Sequence, residues 1–242
     1  EQEPPNAFAS PGAPPTAPYD NAGWTLAWQM GVEFDRILDD FDGPFEAIDA
    51  FRLEPEPAVL AGASNAAGYL VDGRANDAFV LVNRALEEGV QVFRLMEPMT
   101  AQGRDWPAGT FYFDGSGARD ILTEGARDTG IPAVGVSARP GGEALSLRPL
   151  RIGLWDQYGG SMPSGWTRFV LDQFEFDYQV VYPPDLDSAP LSDRFDVLLF
   201  PDGAVPAPGE GEQRGWRPPP DDFAETIPAD LRGRLGSVTA ET

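Results

Sequence analysis

LRIGLWDQYGG (Leu150–Gly160), GWTRFVLDQFEF (Gly165–Phe176), YQVVYPP (Tyr178–Pro184) and RFDVLLFPDG (Arg194–Gly203) follow one another closely in the chain. They run as strand, loop, helix, strand and strand. Ile152 and Leu154 lie in the first strand, and Ser164 is placed to cap a helix. In that helix Trp166, Phe169, Val170 and Phe174 recur at i, i+3, i+4 and i+8, the spacing of an amphipathic face. Strands alternating with helices of about a dozen residues predict an α/β fold, an open and mostly parallel sheet with helices on both faces. Such sheets often carry a nucleophile or a phosphate loop where a strand gives way to a helix. The usual reagents are absent, because no His, Cys or Lys occurs anywhere in the 242 residues.

That absence narrows the chemistry. Without Cys there are no disulfides, thiolate metal sites or cysteine nucleophiles. Without His the commonest general base and transition-metal ligand are missing. Without Lys there is no Schiff base and no Walker-type phosphate lysine. The 39 acidic residues outnumber 17 basic ones, for a formal net charge of −22. A field of that sign repels phosphate backbones and anionic bilayers, so neither nucleic acid nor a membrane is expected as a partner. No apolar run reaches the roughly 20 residues that span a bilayer. With Glu1 first and no signal-peptide core, the chain is expected to be an excised piece of something longer.

Upstream of Leu150 the same rhythm repeats. AVLAG and GYLVD predict short strands, and Asn76 caps a helix over Asp77–Glu88 that stops at Gly89. VQVFRL predicts a strand, followed by a Gly/Pro-bearing loop and the strand GTFYF. A second helix opens at Ser116 or Gly117 and closes at Gly130, and IPAVGVS is the next strand. Leu26, Met30, Phe34 and Ile37 have helical spacing and predict a short helix. On this pattern residues 1–18 are an extended linker and 19–57 a segment that packs on the domain. Residues 58–202 form the α/β domain, and 203–242 a long Pro/Gly-rich loop with the start of a further element.

The loop Tyr158-Gly159-Gly160-Ser161 stands between a strand and a helix start, where backbone N–H groups and the helix dipole favour an anion. Gly159, Gly160 and Ser161, with Arg168 further along the helix, are the candidate ligand-binding residues. The competing reading is a plain strand-to-helix turn with a surface arginine. Asp39-Asp40-x-Asp42-Gly43 shares part of the pattern of a calcium loop, but Glu46 stands too near to close it. Ser137, Ser161 and Ser164 lie near strand ends without a G-x-S-x-G elbow or an orthodox base. Asp156 and Asp202 would have to serve in any carboxylate hydrolase, the last-ranked option. Trp24, Trp28 and Phe34 are read as sealing the N-terminal segment onto the domain.

Several blocks together resemble large bacterial proteins of the zinc carboxypeptidase (carboxypeptidase A-like) family. They are Pro18-Tyr19-Asp20 with Gly23-Trp24-Thr25-Leu26, Gln29-Met30-Gly31-Val32, Ala67-Gly68-Tyr69-Leu70 and Asn76-Asp77-x-Phe79-x-x-Val82-Asn83-Arg84. The fullest are Arg151-Ile152-Gly153-Leu154, Gly165-Trp166-Thr167-Arg168-x-Val170-Leu171 and Arg194-x-Asp196-Val197 to Pro201-Asp202. The resemblance implies a zinc peptidase domain N-terminal to this region. The region itself would be a class I glutamine-amidotransferase-like (flavodoxin-like) domain. Neither the family's zinc ligands nor an amidotransferase Cys-His-Glu triad maps onto this chain, so no catalytic residue, metal ligand or cofactor is expected in it. The expectation is a non-catalytic accessory domain of a secreted or periplasmic zinc-carboxypeptidase-like protein, partnered with that peptidase domain and supporting it or peptide access. The alternative is a free-standing small-ligand module using Gly159–Ser161.

Overall fold

The computed structural model describes residues 7, 8, 10–13, 15, 16, 33–35, 37–47, 57–62, 65–188, 190–205, 223–236, 238 and 242. Most of the 1–18 linker, Trp24, Leu26, Trp28 and Met30, and most of the 203–222 loop lie outside the described residues. Two compact units emerge: Glu1–Leu81 with Phe93–Leu145, and Val82–Val92 with Ser146–Thr242. No helix among the described residues is long and apolar enough to cross a membrane.

The first unit opens with the antiparallel pair β1 (Ala7–Phe8) and β2 (Pro15–Thr16). Then follow β3 (Ala61–Gly62), β4 (Gly68–Val71), α1 (Ala78–Glu87), β5 (Val92–Leu95), β6 (Met99–Ala101), β7 (Arg104–Trp106), β8 (Phe111–Asp114), α2 (Ala118–Thr129), β9 (Ala133–Val136) and β10 (Ala144–Ser146), of which Val82–Glu87, Val92 and Ser146 belong to the second unit. A six-stranded sheet has the order β10-β5-β8-β4-β9-β3. The strand β4 is antiparallel to both β8 and β9, whereas β3 is parallel to β9. All four β4 residues are buried, as are Phe111, Tyr112 and Phe113 of β8, so these aromatic and branched side chains fill a core on both faces.

The helices stop where the sequence says they should. Gly89 takes φ 76° after α1, and Gly130 takes φ 71° after α2 and donates its N–H to Ala126 O at 3.0 Å. Within α2, Gly125 passes so close to Leu81 that a Cβ would collide with that side chain. Residues read as a loop contain the β6–β7 hairpin, in which Gln102 (φ 53°) and Gly103 (φ 72°) form a two-residue turn with both φ values positive. That hairpin delivers Trp106 to a cluster with Leu70, Leu95, Tyr112 and Val136. The Tyr112 hydroxyl is pushed up to about 12, first by burial and then by Asp114.

In the second unit, β11 (Ile152–Trp155), α3 (Met162–Gln173), β12 (Tyr178–Val181), α4 (Pro183–Leu186), α5 (Leu191–Arg194), β13 (Val197–Leu199) and α6 (Phe223–Thr226) follow in order, and a 3₁₀ turn spans Ala229–Arg234. The strand β11 is central, parallel to β12 on one side and to β13 on the other. This is an α/β arrangement, as the alternation predicts. Trp155, Val181, Leu186, Phe195 and Ala204 make its buried cluster. Gly153 is needed in the middle of β11, since a Cβ there would press on Leu198, Phe195 and Val181.

Asp196 ties the amino ends of β11 and β13 together. It accepts two bonds from Arg148, at 2.9 and 3.0 Å, and the Arg151 backbone N–H at 2.9 Å, while the Arg151 side chain adds two more. These two arginines, Arg148 first, hold its carboxyl far below the ordinary value of 3.8. An unfolded chain therefore takes up this proton before the folded one does as the solution is acidified. The stabilisation is complete above about pH 4 and erodes as pH falls towards the folded value. Thermal melts between pH 7 and pH 2 are expected to show Asp196→Asn with a shallower acid slope than the parent. An identical slope would show that Asp196 takes no part in acid unfolding.

The helix α3 departs from expectation in one respect. Of its predicted apolar face, Trp166 is 65% exposed and Phe169 58%, with Val170 close behind, while Phe174 is half-buried; Met162, outside that face, is exposed too. The inward side carries Ser164, which is buried, and the half-buried Thr167, Arg168 and Leu171. The helix is held by polar contacts where a core helix would normally use apolar ones.

Candidate functional site

The carboxyl ends of β11, β12 and β13 are where an open parallel sheet binds its ligands, most often where the chain connections diverge to either side of a central strand. Here β11 is that strand. Its last residue, Trp155, is followed by Asp156, only 4% exposed. Both carboxylate oxygens of Asp156 are occupied, since Oδ1 accepts the Gln157 N–H at 2.8 Å and Oδ2 accepts from the Arg168 guanidinium. A carboxylate committed in this way is a poor general base. Asp202, its imagined companion, sits exposed on the turn after β13.

The glycine loop closes on itself. Gly159 (φ 87°) and Gly160 (φ 83°) adopt left-handed backbone that other residues resist. The Gly160 N–H bonds Gln157 O at 2.9 Å, and Gln157 Nε2 donates back to Gly160 O at 3.3 Å. Ser161 is the N-cap of α3, its Oγ accepting the Ser164 N–H at 3.4 Å. Pro163 in the first helical turn has no N–H to offer. The Ser164 hydroxyl, buried, donates to Trp155 O at 2.7 Å. The helix start thus spends its early donors on its own strand and cap.

The structure brings Gly159, Gly160, Ser161 and Arg168 to one end of the sheet, as their positions in the sequence suggest. Arg168 is not a free surface arginine, because its guanidinium turns onto Asp156. Ser137 is exposed directly after β9, in the other unit. Sequence reasoning missed the Asp156–Arg168 pair, which joins residues twelve apart across a loop and a helix turn. The available signal was the spacing itself: Arg168 falls at i+4 from Ser164, hence on the same side of α3.

Two buried donors at this end, Trp155 Nε1 and Arg168 Nε, have no acceptor among the described residues. A cavity of about 610 Å³ in the same unit lies elsewhere, at the amino ends of β11 and β12, lined by Asn83, Glu87, Pro149, Asp172, Glu175 and Phe176 among others. Its rim is organised by Asn83 Nδ2 donating to Phe174 O at 2.8 Å and by Arg84 donating to Glu175 at 2.7 and 2.8 Å. Among the described residues no group of three or more carboxylates is placed to hold a metal ion, and Asp39, Asp40 and Asp42 lie exposed outside any helix or strand. Compared with known proteins, the chain matches no family model, no curated protein and no solved structure.

Proposed function

We propose that this chain is a non-catalytic accessory module of a secreted or periplasmic zinc-carboxypeptidase-like protein, and that α3 is the face it lays against the peptidase domain. The observation that carries this is the outward apolar side of α3, where Met162, Trp166, Phe169 and Val170 stand exposed on a well-formed helix. A surface helix ordinarily hides such a stripe, and one left open is a mark of an interaction site. The order β12-β11-β13 supports a flavodoxin-like, class I glutamine-amidotransferase-like assignment for the second unit, since that class begins with its first strand between the second and third. The strand end where such a domain would keep its nucleophile holds the Asp156–Arg168 pair and a capped helix start. Zinc would be held by the peptidase domain, since this chain has neither His nor Cys to contribute.

An antibody against this chain should detect, in its native cells, a polypeptide well above 26.2 kDa that releases C-terminal residues from peptides and is silenced by a zinc chelator. In that protein, Trp166→Asp with Phe169→Asp should lower the peptidase's thermal midpoint by about 4 °C or more. A product of 26.2 kDa alone, or a peptidase midpoint indifferent to both substitutions, would overturn the proposal.

The unmatched donors Trp155 Nε1 and Arg168 Nε favour a second reading, a small-ligand module that receives an acceptor oxygen at the Gly159–Ser161 end. Titration with small carboxylates and sugars, followed by tryptophan fluorescence, would separate it from the first.

A further inference from the structure

The cavity at the amino ends of β11 and β12 is lined wholly by residues of the second unit, and neither proposed role uses it. It is built where α1 and α3 end and where the chain enters the two strands. At about 610 Å³ it has the size of a small-molecule site.

Its lining divides by chemistry. Leu86, Pro149, Leu150 and Phe176 give it an apolar side. Every charged group in the lining is a carboxylate: Glu87, Asp172, Glu175 and Asp177. The neighbouring cations leave most of that charge in place. Arg84 matches Glu175, while Arg148 and Arg151, on either side of Pro149-Leu150, both turn onto Asp196. Asp172 accepts the Tyr178 hydroxyl, a neutral donor. Glu87 and Asp177 have no ion-pair partner among the described residues. Even with these three arginines and Asp196 counted, carboxylates outnumber cations around the cavity. A cleft lined by one sign of charge concentrates ions of the other. The negative dipole ends of α1 and α3 act in the same direction.

The two sides together choose the ligand. A bare metal ion needs several oxygens converging on one point, and no such group exists among the described residues. A cation on a hydrocarbon stem uses both sides. Its stem covers Leu86, Leu150 and Phe176 while its head meets a carboxylate, as arginine and lysine stems lie along apolar protein surface. We propose that this cavity binds an organic cation, a guanidinium or ammonium on an aliphatic stem, with Glu87 and Asp177 as its unshared counter-charges. The site is at the opposite end of the sheet from Gly159–Ser161, so it stands independently of either role.

Titration of the nitrogen-15-labelled full chain with butylguanidinium, followed by NMR, tests this. The amide signals of Asn83, Leu86, Leu150 and Asp177 should shift together and saturate. Pentanoate, with a similar stem and the opposite charge, should shift none of them, and guanidinium alone should bind about tenfold more weakly. Glu87→Gln with Asp177→Asn should weaken butylguanidinium about tenfold, and Leu150→Ser about threefold. All three side chains are exposed, so thermal midpoints should stay within about 2 °C of the parent's. Should the double variant melt early, Glu87→Gln alone replaces it, with an expected weakening of about threefold. Tighter binding of butylguanidinium than of a blocked alanyl-arginyl-alanine peptide would assign a free molecule, and the reverse order a basic side chain of a peptide. No saturable shift below about 10 mM, equal binding of guanidinium alone or of pentanoate, or a carboxamide variant that binds as tightly as the parent would each overturn the proposal.

Discussion

Replacing Arg168 with alanine is expected to destabilise the second unit by about 3–5 kcal/mol. The reason lies in what is left behind. Asp156 is 4% exposed at the end of β11, and the guanidinium on α3 is its counter-charge. Truncation leaves a buried carboxylate with one neutral donor, the Gln157 N–H at 2.8 Å. Such a charge is costly because water cannot reach it and the protein no longer compensates it. The pair is a different matter from either member. Asp156→Asn with Arg168→Met removes both charges and keeps most of the volume, so the double variant should recover most of the loss. Urea unfolding followed by tryptophan fluorescence gives both numbers. A loss below about 1 kcal/mol in Arg168→Ala would place the pair with ordinary surface ion pairs and remove the argument that it locks the strand end.

Trp106→Ala should cost the first unit about 3–5 kcal/mol, the range for emptying a large aromatic site. Trp106 is 1% exposed and packs among Leu70, Leu95, Tyr112 and Val136. Its indole Nε1 donates to Ala101 O at 3.2 Å across the β6–β7 hairpin, and the Arg104 guanidinium lies 4.4 Å from its ring centroid. One side chain therefore joins a hairpin to the main sheet. Trp106→Phe keeps much of the packing and loses the hydrogen bond, so it should cost nearer 1 kcal/mol plus a small void. Hydrogen exchange should report faster opening across Met99–Trp106 in both variants. Equal losses in the alanine and phenylalanine variants would show that the bond, rather than the buried ring, holds the hairpin.

The parts legible in the sequence were those set by local rules. Alternation of strand and helix, the stop at Gly89 and the αL cap at Gly130 followed from spacing and turn chemistry, whereas the cap of α3 falls at Ser161 and not at Ser164 as expected, Ser164 lying buried inside the helix. What escaped depends on partners distant in the chain or on less usual turn residues. The β6–β7 hairpin turns on Gln102-Gly103, and Gln is not among the residues that announce a left-handed position. The edge strand β10 is short, with all three residues exposed, so no alternation marks it. On α3 the periodicity was read correctly but its direction was not, because an apolar stripe gives no sign of whether a sheet or another surface covers it. The short helix predicted through Leu26, Met30, Phe34 and Ile37 is absent at Phe34 and Ile37, and its other two positions lie outside the described residues. At the strand end, Gly159, Gly160 and Ser161 could be located from sequence, whereas the pairing that closes the site joins residues twelve apart and needed the fold.

The inverted helix has a colloidal consequence. A tryptophan and a phenylalanine in open water would ordinarily draw copies of a protein together. Here every approaching copy carries the same large negative field, which acts at long range while apolar attraction acts only at contact. The surplus of acidic residues thus sets an entry condition for α3. A matching surface is favoured when it is bare of charge or positive, while another molecule of the same kind is repelled as the two stripes draw near.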